Sequence, residues 1–269
     1  MAEGSSSASD LGRQVCVYEE WMKLQHQEVS DLEEAAQLYG NGKIGEIELN
    51  KVIGKIISNF KDYMEKRRLI IRSTDIMTFF APIWKSSLEN SASWIGGCRP
   101  SSFIRILYAQ SGRDMESQID KFLRGETERI PDFIGEFSKE QMTRIDELQR
   151  KIMREENVLS SKLANLQNDL LDLPLVARAQ ESGCGGIHGN HVVEEKGLKL
   201  LGTSLEEADN LRMKAVEEIV VNILKPSQAV DFLAAGKNIR ICMREWGRQR
   251  DDHHRRSGST SSATVAGQN

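Results

Sequence analysis

Proline is scarce in this chain, with five residues in 269 at positions 82, 100, 131, 174 and 226. Their spacing leaves long tracts in which nothing stops a helix. Cysteine is scarcer still. Cys16, Cys98, Cys184 and Cys242 stand far apart without a Cys-x-x-Cys pair, which suits reduced thiols better than a disulfide frame or a redox motif. Neither sign of charge dominates, since 36 basic and 40 acidic residues give a net charge of −4, so no overall positive field draws the protein onto nucleic acid. No apolar run is long enough for a membrane span, and the Ser-rich start has no apolar signal core; an intracellular protein is expected. Alternating strands with hairpin turns and repeats of constant length are also missing, which puts α/β and solenoid folds behind a helical bundle.

The apolar residues, 39% of the chain, suffice for a sizeable core and recur at helical spacing. Val15, Tyr18, Met22, Val29, Leu32 and Ala36 mark a first helix ending at Gly40-Asn-Gly42, and Leu49, Val52, Ile53, Ile56, Ile57, Phe60, Tyr63 and Met64 a second. Ile76 to Phe80 predicts a short third helix and the tract up to Gly96 a fourth, with Trp84 and Trp94 on one side of it. Phe103 to Tyr108 predicts a fifth stopped by Gly112, and Asp114 to Leu123 a sixth. Ile145, Ile152, Leu159, Leu166 and Leu173 repeat every seven residues and predict one long helix over 139–173, ended by Pro174. Ser204 with Glu207 has the pattern of a capping box for the next helix. The Lys225-Pro226 break admits a last one, running through Val230, Leu233, Ile241 and Trp246. The fold class expected is all-α: a single multi-helix bundle over 13–250, with flexible tails at 1–12 and 251–269.

The densest local signal is Trp94-Ile-Gly-Gly-Cys-Arg-Pro-Ser-Ser102. Gly96 and Gly97 suit the left-handed backbone that closes a helix, Pro100 makes Arg99 extended, and Ser101 or Ser102 suits a cap. Trp84, Trp94, Gly96, Gly97, Arg99 and Pro100 are therefore expected to build a rigid corner. This segment, with Ala81-Pro-x-Trp84 and Leu88-Glu-Asn90 in the same frame, resembles the plant Delay-of-Germination family. So do Tyr18-x-Glu-Trp-Met22, Glu206-Glu-Ala-Asp-Asn-Leu-Arg212 and Ala229 to Trp246. The resemblance spans roughly residues 13–250 and extends to the domain that follows the zipper in TGA-type bZIP transcription factors. It implies a regulator of seed dormancy and germination that acts by binding signalling proteins. These would be clade A type 2C protein phosphatases of the abscisic-acid pathway, and the place would be the nucleus, with the cytoplasm open as a second one.

The residues themselves favour an interaction protein over an enzyme. No Ser or Cys nucleophile can be tied to a base and an orienting acid, and pairs such as Glu33-Glu34 read as solvated helix surface. Tyr18, Glu20, Trp21 and Met22 are the candidate partner-binding residues, because Tyr and Trp supply large contact areas; core packing is the equal alternative. The heptad reads as an internal bundle helix, with self-association through it left open. Asp120 to Lys139, just before it, holds Gly125, Pro131 and Gly135 instead of a basic helix, so direct DNA contact is not expected without a basic zipper partner. A transcription-associated module remains the alternative function. Cys184, His188 and His191 lack a fourth zinc ligand at ordinary spacing and read as a mobile loop. The last helix carries Arg240 and Arg244, four apart on one face, which read as solvated charge. Haem-binding relatives have histidines at these places, and a guanidinium has no lone pair for iron, so no haem, metal or other cofactor is expected.

Overall fold

The computed structural model describes residues 3–73, 76–123, 137–180 and 191–265, with side chains over 11–73, 76–112, 137–169 and 197–256. The helices are α1 (Glu3–Gly40), α2 (Glu46–Ser73), α3 (Met77–Phe80), α4 (Ser87–Ser91), α5 (Ser101–Leu123), α6 (Lys139–Gln180), α7 (His191–Glu217) and α8 (Pro226–Val265). The class is all-α, as expected; the described residues hold no strand, and Trp94 and Gly97 form an isolated bridge. The antiparallel partners α1 and α8 lie side by side, α6 lies along α7, and α2 touches α1, α7 and α8, joining the two pairs.

Local chemistry sets most of the helix ends. Gly42 takes a φ of +68°, and the Gly42 and Lys43 amides donate back to the Tyr39 and Leu38 carbonyls at 2.9 Å, closing α1 with a glycine in the left-handed region. Ser138 and Gln141 cap each other's backbone at the start of α6 (3.0 and 3.1 Å). Between α7 and α8 the chain passes through a π-helical stretch, Glu218–Ile223, that turns Ile219, Val220 and Ile223 into the core. There the Gln141 side chain donates to the Ile223 carbonyl at 2.8 Å, and Pro226, which needs no amide partner, opens α8.

Several boundaries differ from the sequence reading. The tract before Gly96 is not one helix: α4 is a single turn, so Trp84 and Trp94 do not share a helix face. Gly112 does not stop α5, because an exposed glycine costs a helix only about 1 kcal/mol, and α5 runs on to Leu123. Helix α6 continues through Pro174 to Gln180. Ser204 and Glu207 lie inside α7 rather than at its start. The Ser204 hydroxyl bonds the Leu200 carbonyl and Glu207 pairs with Lys162 across to α6. Helical backbone also reaches into both segments expected as tails, since a formed helix extends without a new nucleation step.

Two clusters form the core. The larger gathers α1, α2, α5, α6, the π-stretch and α8, and the smaller joins Ile70, Ile71, Phe79 and Ile95 to Leu159, Leu205, Ala208 and Leu211. Ile145, Ile152, Leu159 and Leu166 are all buried, so the heptad stripe is used inside the bundle. Ile152→Ala should lower stability by about 2–5 kcal/mol. Val158→Ala, on the exposed side of the same helix, should change it by less than about 0.5 kcal/mol in the same urea titration.

Candidate functional site

At the corner, Trp94 and Gly97 exchange hydrogen bonds (2.7 and 3.2 Å) across Ile95 and Gly96, whose φ angles are +42° and +69°. Two positive φ values make this a tight hairpin turn rather than a helix stop. Gly97 has an ordinary φ; its role is space. A Cβ there would sit 2.8 Å from the Arg212 guanidinium carbon. Ile95 is a β-branched residue in a region that it rarely enters, and its burial in the smaller core holds it there.

The turn leaves its carbonyls pointing inward, and Arg212 of α7 collects them. Its guanidinium donates to the carbonyls of Trp94, Ile95 and Cys98, and its remaining edge to Asp209 at 2.6 Å. Asp209 also accepts from Arg67 of α2 at 2.9 Å. Arg212 is 2% exposed, and its charge and that of Asp209 are tolerated in the interior because they pair with each other and the guanidinium makes three further hydrogen bonds. The Trp94 indole lies 5.5 Å from Arg212 and 5.7 Å from Arg99, and donates to Ser160 of α6 at 2.9 Å. The start of α5 is capped from a distance. Buried Glu156 of α6 accepts from the Ser101 amide at 2.6 Å and pairs with Arg99 at 3.2 Å, whereas the Ser102 hydroxyl turns back to the Arg99 carbonyl.

The candidate partner-binding residues separate. Tyr18, Trp21 and Met22 are buried, and of the four only Glu20 reaches solvent. Burial follows from α1 lying in the groove between α2 and α8: Trp21 stacks on Tyr63 at 4.2 Å, and Tyr18 donates to Glu89 beside the capping box of α4. Burial and the bond to Glu89 push the Tyr18 phenol well above its ordinary range. Arg240 and Arg244 do not read as solvated charge either. Arg244 is buried against Glu19 and over the Tyr18 ring at 5.3 Å, and Arg240 reaches Cys98 Sγ at 3.8 Å. The pair with Arg244 holds the Glu19 carboxyl below the usual carboxylate range. Deeper in the same seam Lys237 pairs with Glu28, and burial pulls its ammonium below its ordinary range although Glu28 opposes this.

Trp246, expected on the last helix, is 69% exposed. Arg244 and Arg248 face Glu19 of α1, which turns Trp246 to the far side of α8 together with exposed Ile239, Cys242 and Arg250. Spacings of three and four residues put these on one stripe. Arg67 was not singled out by sequence either, because its partner Asp209 is 142 residues away. No cluster of three metal-ligating side chains is present among the described residues, and Cys184, His188 and the His191 side chain lie outside them. No helix among the described residues is long and apolar enough to cross a membrane.

Residues 28–109, which include Arg67 and the corner, match a family model described as seed dormancy control. Over 277 residues the chain is 34% identical to Protein DOG1-like 3 of Arabidopsis thaliana, covering 99% of this chain and 95% of that one. Protein DOG1-like 1 of the same plant is 35% identical, with 98% and 99% covered. Transcription factor TGA3, also from Arabidopsis thaliana, is 21% identical over 82% of this chain and 50% of its own length.

The geometry makes Arg212 the tie of the corner. Arg212→Ala should cost about 3–5 kcal/mol by leaving Asp209 with Arg67 alone and the Ile95 and Cys98 carbonyls without this donor. Arg212→Lys should recover little, because an ammonium cannot span donors on two edges; chemical denaturation of the three proteins checks both.

Proposed function

The chain belongs to the seed dormancy control family, and from that premise we propose that it regulates dormancy and germination without turnover, by holding signalling proteins at its surface. The partner class is the clade A type 2C protein phosphatases of abscisic-acid signalling, and the place of action is the nucleus. The observation that carries a binding role is the Trp246 stripe. A tryptophan left 69% exposed beside Ile239 and Arg250 costs the free protein apolar hydration, and Trp and Arg are the residue types that dominate binding hot spots. The outer face of α1 supports the same role through polar residues such as Glu20 and Lys23, since Tyr18 and Trp21 serve the core.

Purified protein and phosphatase test this by co-purification. Trp246→Ala should weaken binding by about thirtyfold, the scale of a 2 kcal/mol hot spot, at an unchanged melting temperature. Glu20→Lys should weaken it less. Trp21→Ala should instead unfold the domain earlier, by about 3–5 kcal/mol, and lose binding only in step with folding. Binding that ignores Trp246 but fails with Glu20→Lys would move the contact to α1, and binding insensitive to both would reject the surface assignment.

Similarity to a protein named as a transcription factor favours a second reading, a module that joins transcription complexes. A gel shift with a TGACG-containing duplex separates the two. Little binding is expected from this chain alone, whereas tight, sequence-selective binding that weakens steeply with salt would favour direct DNA recognition.

A further inference from the structure

Beneath the corner, positive charge outnumbers negative. The Lys85 side chain lines, together with Arg67 of α2, the space between α1, α2 and the Trp94 turn, and it feels the charges of Arg67, Arg240 of α8, Arg212 of α7 and the Glu89 carboxylate. Both acids in this neighbourhood are already committed. Asp209 is shared by Arg67 and Arg212, and Glu89 accepts from the Tyr18 hydroxyl and from the Ser86 amide and hydroxyl. Neither Lys85 nor Arg240 forms an ion pair with a carboxylate among the described residues. Burial first, then the three guanidiniums, bring the Lys85 ammonium from its ordinary 10.5 down to about 8 against the pull of Glu89.

A cavity opens at this place, bounded by Tyr18, Tyr63, Arg67, Phe79, Trp84 and Lys85. About 20 Å³ of it admits the centre of a water-sized particle, room for one such particle and no more. Its walls are aromatic on several sides and cationic at Arg67 and Lys85. Low-dielectric walls strengthen the field of those two charges. Tetrahedral oxyanions are too large for the space, whereas chloride is only slightly larger than water. We propose that this cavity is a binding site for a single halide-sized anion, chloride in the cell, held between Lys85 and Arg67 and offsetting the surplus charge under the corner. The bound ion would tie α1, α2 and the corner together and would make their packing respond to chloride.

The groups facing Lys85 determine the pH dependence. Lys85 faces Glu89, the three arginines and, across the cavity, Tyr18 and Tyr63; burial and the bond to Glu89 push the Tyr18 phenol well above its ordinary range. Lys85 is thus the cation of the site that is lost on going alkaline. The free protein binds fewer protons here than the unfolded chain between about pH 8 and 10.5, so without anion its stability rises with pH through that window. Chloride favours the ammonium and adds its stabilisation on the acid side.

Thermal unfolding of the full chain at fixed ionic strength, with sodium chloride replacing sodium gluconate, provides the test. At pH 7 the midpoint should rise saturably by about 2–4 °C, sulfate should not reproduce the rise, and the rise should vanish at pH 9.5 and in Lys85→Met. Chloride NMR linewidth gives a second measure that does not depend on a variant folding. Wild-type protein at pH 7 should broaden the line, and bromide should reverse it. Equal midpoints in chloride and gluconate, an equal rise with sulfate, a folded Lys85→Met that responds like wild type, or an unbroadened line would each overturn the assignment.

Discussion

Everything around the corner depends on one buried guanidinium meeting three backbone carbonyls that no helix could satisfy. A two-residue turn of this kind turns its peptide groups out of any regular pattern, and in a dry interior each unpaired carbonyl costs on the order of 1–3 kcal/mol. Arg212 meets those of Trp94, Ile95 and Cys98 with a single planar group. Its own charge then needs a counter-ion, which Asp209 supplies one helical turn away while also holding Arg67. The requirements fit together closely: Gly97 must lack a side chain for the guanidinium to approach, and Ile95 must be buried to stay in its strained backbone conformation.

The same logic recurs along the seam of α1 and α8. Glu28 with Lys237, and Glu19 with Arg244 and Arg248, are partly or wholly withdrawn from water and pair across helices at opposite ends of the chain. Such pairs add little net stability compared with apolar packing, but they penalise any register in which the partners miss one another. The aromatic residues of α1 are used in this seam as well. Trp21 lies between Tyr63, Phe60 and Lys237, and Tyr18 between Glu89 and Arg244. The far side of α8 stays out of this packing and exposes Trp246. Gly247 lets that helix pass so close to the α4 cap that a Cβ would fall 2.0 Å from the Ser86 hydroxyl, and Asp251 reaches across to the Ser87 amide at 2.9 Å. The domain therefore continues past residue 250, and Trp246 is presented from a helix anchored on both sides of it.

Much of this architecture was legible in the sequence. The spacing of Leu49, Ile53, Ile56, Ile57 and Phe60 gave α2 its inward face, and Ile145, Ile152, Leu159 and Leu166 did the same for α6. Gly42 and Pro226 marked real ends. Short patterns were less dependable. The Ser-x-x-Glu/Gln spacing occurs at Ser30, Ser86, Ser138 and Ser204, but only Ser86 and Ser138 cap a helix, because at Ser30 and Ser204 the preceding turns already supply the backbone partners. Trp246 falls outside the inward period of α8, since five residues beyond buried Ile241 put it about 140° round the helix. Its exposure follows from Arg244 and Arg248 taking the side that faces α1.

Helical class, the main apolar stripes and a rigid bend at Trp94 to Pro100 were settled by the sequence, because the 3.6-residue period, glycine freedom and proline's fixed φ are local properties. Which polar residues meet was decided only in three dimensions. Arg67 and Asp209, Glu28 and Lys237, Glu19 and Arg244, and the cations around Lys85 stand far apart along the chain, on helices whose own periodicity treats each of them as ordinary surface. Packing the stripes fixes how the helices rotate and slide, and that rotation alone determines which charged side chains leave water and what they find there.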